Sequence, residues 1–289
     1  MDCVIQFHEV LQDAFGALDW PPIADGNIYR FHVPGDKAGT LNGWYVLFAD
    51  GIASGCYGSW KVGSSNTWHS REPANLMEAE QVRQRIEQAR RQREAEQHQR
   101  QQATAENAKC LWLRAYSADP DHPYLLRKAV GPYNLRQQGD VLLVPLYRGD
   151  ALMNLQRIYP DGSKRFLSGG MVKGCYSILG AITPGKRLYI CEGWATGVTI
   201  HTETGAAVAC AMNAGNLLPV GQYLQYRHLN TELIVAGDDD RLTDGNPGRT
   251  KANKAAVALG CDLVMPPWSA IEPLELSDFN DLANWRAAQ

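Results

Sequence analysis

The stretch Leu188-Tyr-Ile-Cys-Glu192-Gly193-Trp-Ala-Thr-Gly197 restricts the possible folds of this chain more than any other. Its first four residues are an apolar run of strand length that stops at an acid followed by a glycine. Residues 195–204 then read as a helix, with Gly205 at its C-cap. A carboxylate at the C-terminal tip of a parallel strand sits where open α/β sheets place their ligands. Gly193 lets the backbone turn sharply and lets a phosphate or metal approach closely. A second apolar strand, residues 232–236, ends in Gly237-Asp238-Asp239-Asp240-Arg241. Two such tips can point at one place, and three or four carboxylates gathered there are costly unless a divalent cation neutralises them.

Glu-Gly after one strand and Asp-x-Asp after a later one resembles the Toprim domain, shared by bacterial-type primases, topoisomerases and some nucleases. The longer string Glu192-Gly-Trp-Ala-Thr-Gly197 is similar to the Glu-Gly-Tyr-Ala-Thr-Gly motif of primases carried by conjugative plasmids and satellite phages, with Trp194 in place of the tyrosine. Asp119-Pro-Asp-His-Pro-Tyr-Leu-Leu-Arg-Lys128 is similar to the segment that opens the polymerase core in that family. The resemblance covers roughly residues 109–285.

The strand–helix alternation of the last hundred residues argues for a compact parallel α/β domain. With the resemblance, the expected fold class is an α+β N-terminal domain joined by a long helix to an α/β Toprim-type primase core. Residues 1–72 read as a small aromatic-rich domain with one amphipathic helix and short β runs between turn signals. Its aromatics either stack single-stranded bases, with Arg30, Lys37, Lys61 and Arg71 on the phosphates, or fill a small core. Residues 73–108 have a helix-favouring, highly charged composition and read as a solvated connector. Residues 109–185 hold a hairpin region, 141–159, rich in basic side chains and read as the basic sub-domain of the core. Residues 186–289 are the Toprim-like unit; residues 217–229 read as helix, 243–251 as a loop and 252–259 as a helix.

The formal net charge is −3, so nucleic-acid binding must come from a local patch rather than from the whole surface. Seven scattered cysteines without a Cys-x-x-Cys pair argue for a reducing cytoplasm and against a disulfide framework or a zinc ribbon, so no zinc is expected. No signal peptide or membrane-length apolar run is visible. No Gly-x-x-x-x-Gly-Lys-Ser/Thr loop is present, so no helicase is fused; the resemblance implies a separate replicative helicase or initiator protein as partner.

The resemblance implies a DNA primase that joins ribonucleoside triphosphates into short RNA primers on a single-stranded DNA template. Glu192, Asp238 and Asp240 would be its catalytic acids, and with Asp278 they would hold two Mg²⁺ or Mn²⁺ ions. Asp278 also reads as a helix N-cap. Arg157, Lys164, Arg165 and Lys173 would neutralise triphosphate and template, because metal-bound phosphate needs fixed cations near it. Gly193, Asn213, Arg241 and Lys251 complete the expected nucleotide or DNA contacts, Asn213 alternatively being only a turn residue. Two other readings stay open: a Toprim metal-dependent nuclease using the same acids, and a non-catalytic DNA-binding replication accessory factor.

Overall fold

The computed structural model describes residues 2–289. The chain divides into two units, one running to Gln99 and the other from Arg100 to Gln289.

In the first unit, helix α1 (Cys3–Phe15) precedes four strands, β1 (Asp25–Phe31), β2 (Gly43–Phe48), β3 (Ser54–Ser59) and β4 (Asn66–His69), which form an antiparallel sheet in chain order. Alternation along β2 sends Tyr45 and Leu47 to one face, where Phe7 and Leu11 of α1 cover them with Phe31.

 Trp44, with Val46 and Cys56, faces the other way, and α2 (Leu76–Arg114) lays Ala89 against this second face. The guanidinium of Arg93 lies 5.0 Å from the ring centroids of both Trp44 and Trp60. Trp44, Tyr45 and Phe7 are buried, so these aromatics fill a core and are not a platform for bases. Of the basic residues expected on phosphates, Lys61 pairs with Asp36 and Arg71 with Glu78.

Helix α2 starts where Asn75 accepts the Glu78 amide at 3.0 Å, while the Glu78 carboxylate accepts the Ala74 amide, a reciprocal cap. It is not solvated along its whole length: Val82, Ala89, Ala105 and Ala108 are buried. Small alanines supply the contact where a stripe of large apolar residues is missing.

The second unit holds two sheets. Strands β5 (Tyr116–Ser117), β6 (Arg136–Gln138), β7 (Val141–Arg148), β8 (Ala151–Ile158) and β9 (Lys164–Phe166) form an antiparallel sheet, and α3 (Pro123–Lys128) lies between β5 and β6 in sequence. The other sheet contains β10 (Ser177–Leu179), β11 (Arg187–Cys191), β12 (Ala207–Cys210), β13 (Glu232–Ala236) and β14 (Asp262–Val264) in the order β10-β12-β11-β13-β14. Only β10 runs antiparallel. Helices α4 (Trp194–Thr204), α5 (Leu217–Arg227), α6 (Pro247–Leu259) and α7 (Phe279–Ala287) complete the unit.

Period-two alternation divides the parallel sheet between two cores. Leu188, Ile190, Ala209 and Val235 face Leu224, Ala255 and Leu259. Tyr189, Cys191, Val208 and Ile234 face α4 and the antiparallel sheet, meeting Trp194, Val198, Leu142 and Val144. Each fully buried Leu or Ile contributes about 1.5–3 kcal/mol relative to exposure. The two sheets are joined at Tyr147 and Tyr176, which exchange backbone hydrogen bonds of 2.8 and 3.0 Å. Helix α4 can press onto the sheet because Gly197 has no side chain; a Cβ there would lie 2.3 Å from Cys210 Sγ.

Helix α6 begins at Pro247, so residues 247–251 are helical rather than part of a loop. Asn246 caps this start by accepting the Arg249 amide, and Pro247 has no N–H to leave unsatisfied.

Candidate active site

Because β11 and β13 are parallel neighbours in register, Ile190 pairing with Val235, their C-terminal ends lie side by side. Glu192 follows β11 by one residue and Asp238 follows β13 by two. A third acid arrives from α7: Asp278 is its N-cap, accepting the Asp281 amide at 2.8 Å. The segment before α7 is held beside the β13 tip because the Asp239 amide donates to the Ser277 carbonyl at 2.7 Å. Glu192, Asp238 and Asp278 line one pocket of about 170 Å³ together with Lys128, Lys164 and Gln156.

The electrostatics of the pocket are strained. Burial pushes the Asp238 carboxyl up to about 8, with Asp278, Glu192 and Asp240 adding to the rise. Burial also raises Glu192, helped by Asp240, and raises Asp278, helped by Asp281. Asp238 Oδ1 is buried without a hydrogen-bond partner. An orphaned carboxylate oxygen among other hard oxygen donors fits a divalent cation such as Mg²⁺. Among the described residues no three acidic, histidine or cysteine side chains stand close enough to cage an ion by themselves. A Mg²⁺ site does not need such a cage, since this ion keeps several waters and uses one or two carboxylates plus substrate phosphate.

The three consecutive aspartates have different surroundings. Asp239 is 1% exposed and accepts from Arg249 at 3.0 and 2.7 Å, Asn246 at 2.6 Å and Trp268 at 3.0 Å. Arg249 accordingly holds the Asp239 carboxyl below its ordinary range. Asp240 takes the first-turn amide of Gly248 on Oδ2 at 2.8 Å, a charge placed at the positive end of α6. The middle carboxylate anchors the loop while Asp238 faces the pocket. Arg249 belongs to this anchor.

The basic residues also separate. Lys164 reaches the pocket, its Nζ 5.5 Å from the ring centroid of buried Tyr124, and burial lowers its pKa with Lys128 adding. Arg157 and Arg165 are register partners one residue from Gln156 and Lys164, so alternation turns them to the opposite face of the sheet, the side of Leu143 and Leu155. Neither lines this pocket, contrary to the expectation from sequence. Arg241 is also removed from the expected phosphate contacts: it donates to the Leu276 and Pro273 carbonyls and lies 4.0 Å over Trp268, securing the segment that carries Asp278. Lys173 and Lys251 are exposed and neither lines the pocket.

Gly193 lines the pocket, but its φ of −93° is ordinary backbone, so a sharp turn is not what it provides. Close approach is, because only Thr196 lies near the position of an added Cβ. Asn213 precedes the short 3-10 turn Ala214–Asn216 without a capping bond. The amide that does structural work is Asn216: it accepts from Gly174 at 2.7 Å and donates to the carbonyls of Cys175 and Ala211 at 2.9 and 2.8 Å, tying the Lys173-Gly174 turn to the end of β12.

Lys128 and Gln156 were not singled out from sequence as site residues. Lys128 pairs with Asp281 at 2.9 Å, and its carbonyl accepts Asn280 and Asn284 of α7 at 2.8 and 3.0 Å. Burial opposes its charge, but the Asp281 hydrogen bond and Asp278 raise its pKa overall. Its place at the end of the string 119–128 was the available signal. Gln156 had none beyond its position in an alternating strand.

Residues 187–288 match the family described as Toprim domain. The chain is 33% identical over 261 residues to an Escherichia coli DNA primase TraC, an alignment covering 85% of this chain and 24% of that protein. A second Escherichia coli DNA primase TraC is 33% identical over 264 residues, covering 87% of this chain and 18% of that protein. The chain thus spans about a quarter or less of the length of these relatives. Among solved structures, a DnaG primase catalytic domain bound to ssDNA superposes with a TM-score of 0.42 at 10% identity, covering 63% of this chain and 74% of that one. No helix among the described residues is long and apolar enough to cross a membrane.

Proposed function

We propose that this chain, whose residues 187–288 are a Toprim domain, is the catalytic part of a DNA primase that makes short RNA primers on single-stranded DNA. The observation that carries the reading is the pocket itself, where Glu192, Asp238 and Asp278 face Lys128 and Lys164 and Asp238 Oδ1 lacks a partner. The similarity to DNA primase TraC supports the same activity.

Glu192, Asp238 and Asp278, with Asp240 at their side, would hold Mg²⁺ or Mn²⁺, two ions in the full reading. The bound metal would lower the pKa of the attacking hydroxyl and stabilise the leaving pyrophosphate. Lys128 and Lys164 supply fixed positive charge to triphosphate oxygens in a partly dry pocket, where such contacts are stronger than in water. The Asp239 anchor holds Asp238 and Asp240 in place before substrate arrives. Single-stranded DNA and ribonucleoside triphosphates are the proposed substrates, with a separate helicase or initiator as partner. The chain is proposed to act in the cytoplasm.

The test is incubation with single-stranded DNA, labelled ribonucleotides and Mg²⁺ or Mn²⁺, with products read by size. Short labelled oligomers that vanish in Glu192→Gln are expected. Shortened DNA in place of new oligomers would make the protein a nuclease, and no change to either would leave only a binding role.

A further inference from the structure

Gln156 lies in the middle of β8, between Val144 of β7 and Phe166 of β9. It is 4% exposed, and what remains of its surface lines the pocket. A buried side-chain amide ordinarily has protein partners for its N–H and C=O groups. The neighbouring Asn154 illustrates this, since its Oδ1 accepts the Leu155 amide and its Nδ2 donates to Leu167. Gln156 makes no such side-chain bond to the protein, nor is either of its amide atoms sealed off as a buried orphan. Its donor and its acceptor are both without a protein partner, in a side chain that lines the same pocket as the two lysines and the three carboxylates.

The rest of the polar lining suggests what the amide is for. Two ammonium groups suit phosphate oxygens, and three carboxylates suit a metal and the hydrogens of its waters. A group that both gives and takes one hydrogen bond is matched by neither set. A hydroxyl is such a group, and a primary amide offers it one donor and one acceptor. We propose that Gln156 is a specificity residue, its amide hydrogen-bonding a sugar hydroxyl of the nucleotide whose phosphates the pocket binds, and thereby favouring ribonucleotides over deoxyribonucleotides. This rests on the nucleotidyl-transfer reading above and extends it to the choice of sugar. The 2′-hydroxyl is the group by which a protein distinguishes the two at a single site.

Gln156→Met keeps the length and most of the volume of the side chain but removes both hydrogen-bonding groups. Primer synthesis on single-stranded DNA is measured with ribonucleotides and with deoxyribonucleotides separately, for the wild type and the variant. The expected result is a loss in kcat/KM of about tenfold with ribonucleotides and little change with deoxyribonucleotides, as for one hydrogen bond to substrate. Equal losses with both sugars would mean that the amide serves the metal's water or the local packing, and would overturn the proposal, as would unchanged selectivity. Binding of a ribonucleoside and a deoxyribonucleoside triphosphate in Mg²⁺ is titrated in parallel. If the wild type makes no primers at all, the primase reading fails, while a ribose preference in binding that disappears in Gln156→Met still upholds the sugar contact.

Discussion

Asp238→Asn should make the metal-free protein more stable while removing its activity. The wild-type carboxyl has an ordinary value of 3.8 and is pushed up to about 8 in the fold, first by burial and then by Asp278 and Glu192. Below pH ~4 it is protonated in both the folded and the unfolded chain and has no effect. Between about pH 4 and pH 8 the folded protein keeps a proton that the unfolded chain has released, so stability falls as pH rises, by about 1.4 kcal/mol per pH unit at most. Over roughly four units the ceiling is about 6 kcal/mol. Relaxation and water entry reduce such penalties, so about 2–3 kcal/mol at pH 8 is the working expectation. Asparagine carries no charge and escapes this penalty, though a weaker slope persists from Glu192 and Asp278, whose carboxyls burial also raises. Mn²⁺ or Mg²⁺ should stabilise the wild type by binding the folded state and should do far less for the variant. Urea denaturation followed by circular dichroism at pH 5, 6.5 and 8, in EDTA and in Mn²⁺, measures both effects. A variant no more stable than the wild type at pH 8 in EDTA would refute the account of a self-repelling buried carboxylate.

Gly248→Ala should injure the site through a single methyl. Its Cβ would lie 2.7 Å from the Asp238 carbonyl oxygen and 2.9 Å from Asp240 Oδ2, so the loop must shift; about 1–3 kcal/mol of destabilisation is expected, with weaker Mn²⁺ binding by calorimetry. Unchanged Mn²⁺ affinity would show that the geometry of Asp240 is unimportant. Asn216→Ala should cost about 2–4 kcal/mol in thermal or urea unfolding, because it strands the Gly174 amide and several buried carbonyls. A loss of less than about 0.5 kcal/mol would mean that water replaces those bonds readily.

The sequence by itself determined the elements that carry the acids. Short apolar runs ending in Glu192-Gly193 and in Gly237-Asp238 have the strand period and stop abruptly, and these are local properties. The helix after Glu192, its C-cap at Gly205 and the hairpin ahead of the parallel sheet were readable for the same reason. The start of α6 was misplaced because Asn246-Pro247 reads as a turn unless the asparagine is seen capping the helix. Tertiary structure alone decided which polar side chains face the pocket. Arg157 and Gln156 are adjacent in sequence and lie on opposite faces of one strand, and no charge count tells which face meets the acids. Asp239 sits between two other aspartates, yet Arg249, Asn246 and Trp268 take its charge into the scaffold. Lys128 and Asp281 are joined only when α7 packs back onto α3. Strand pattern and turn chemistry act over a few residues, whereas the pairing of buried charges depends on which segments the fold brings into contact.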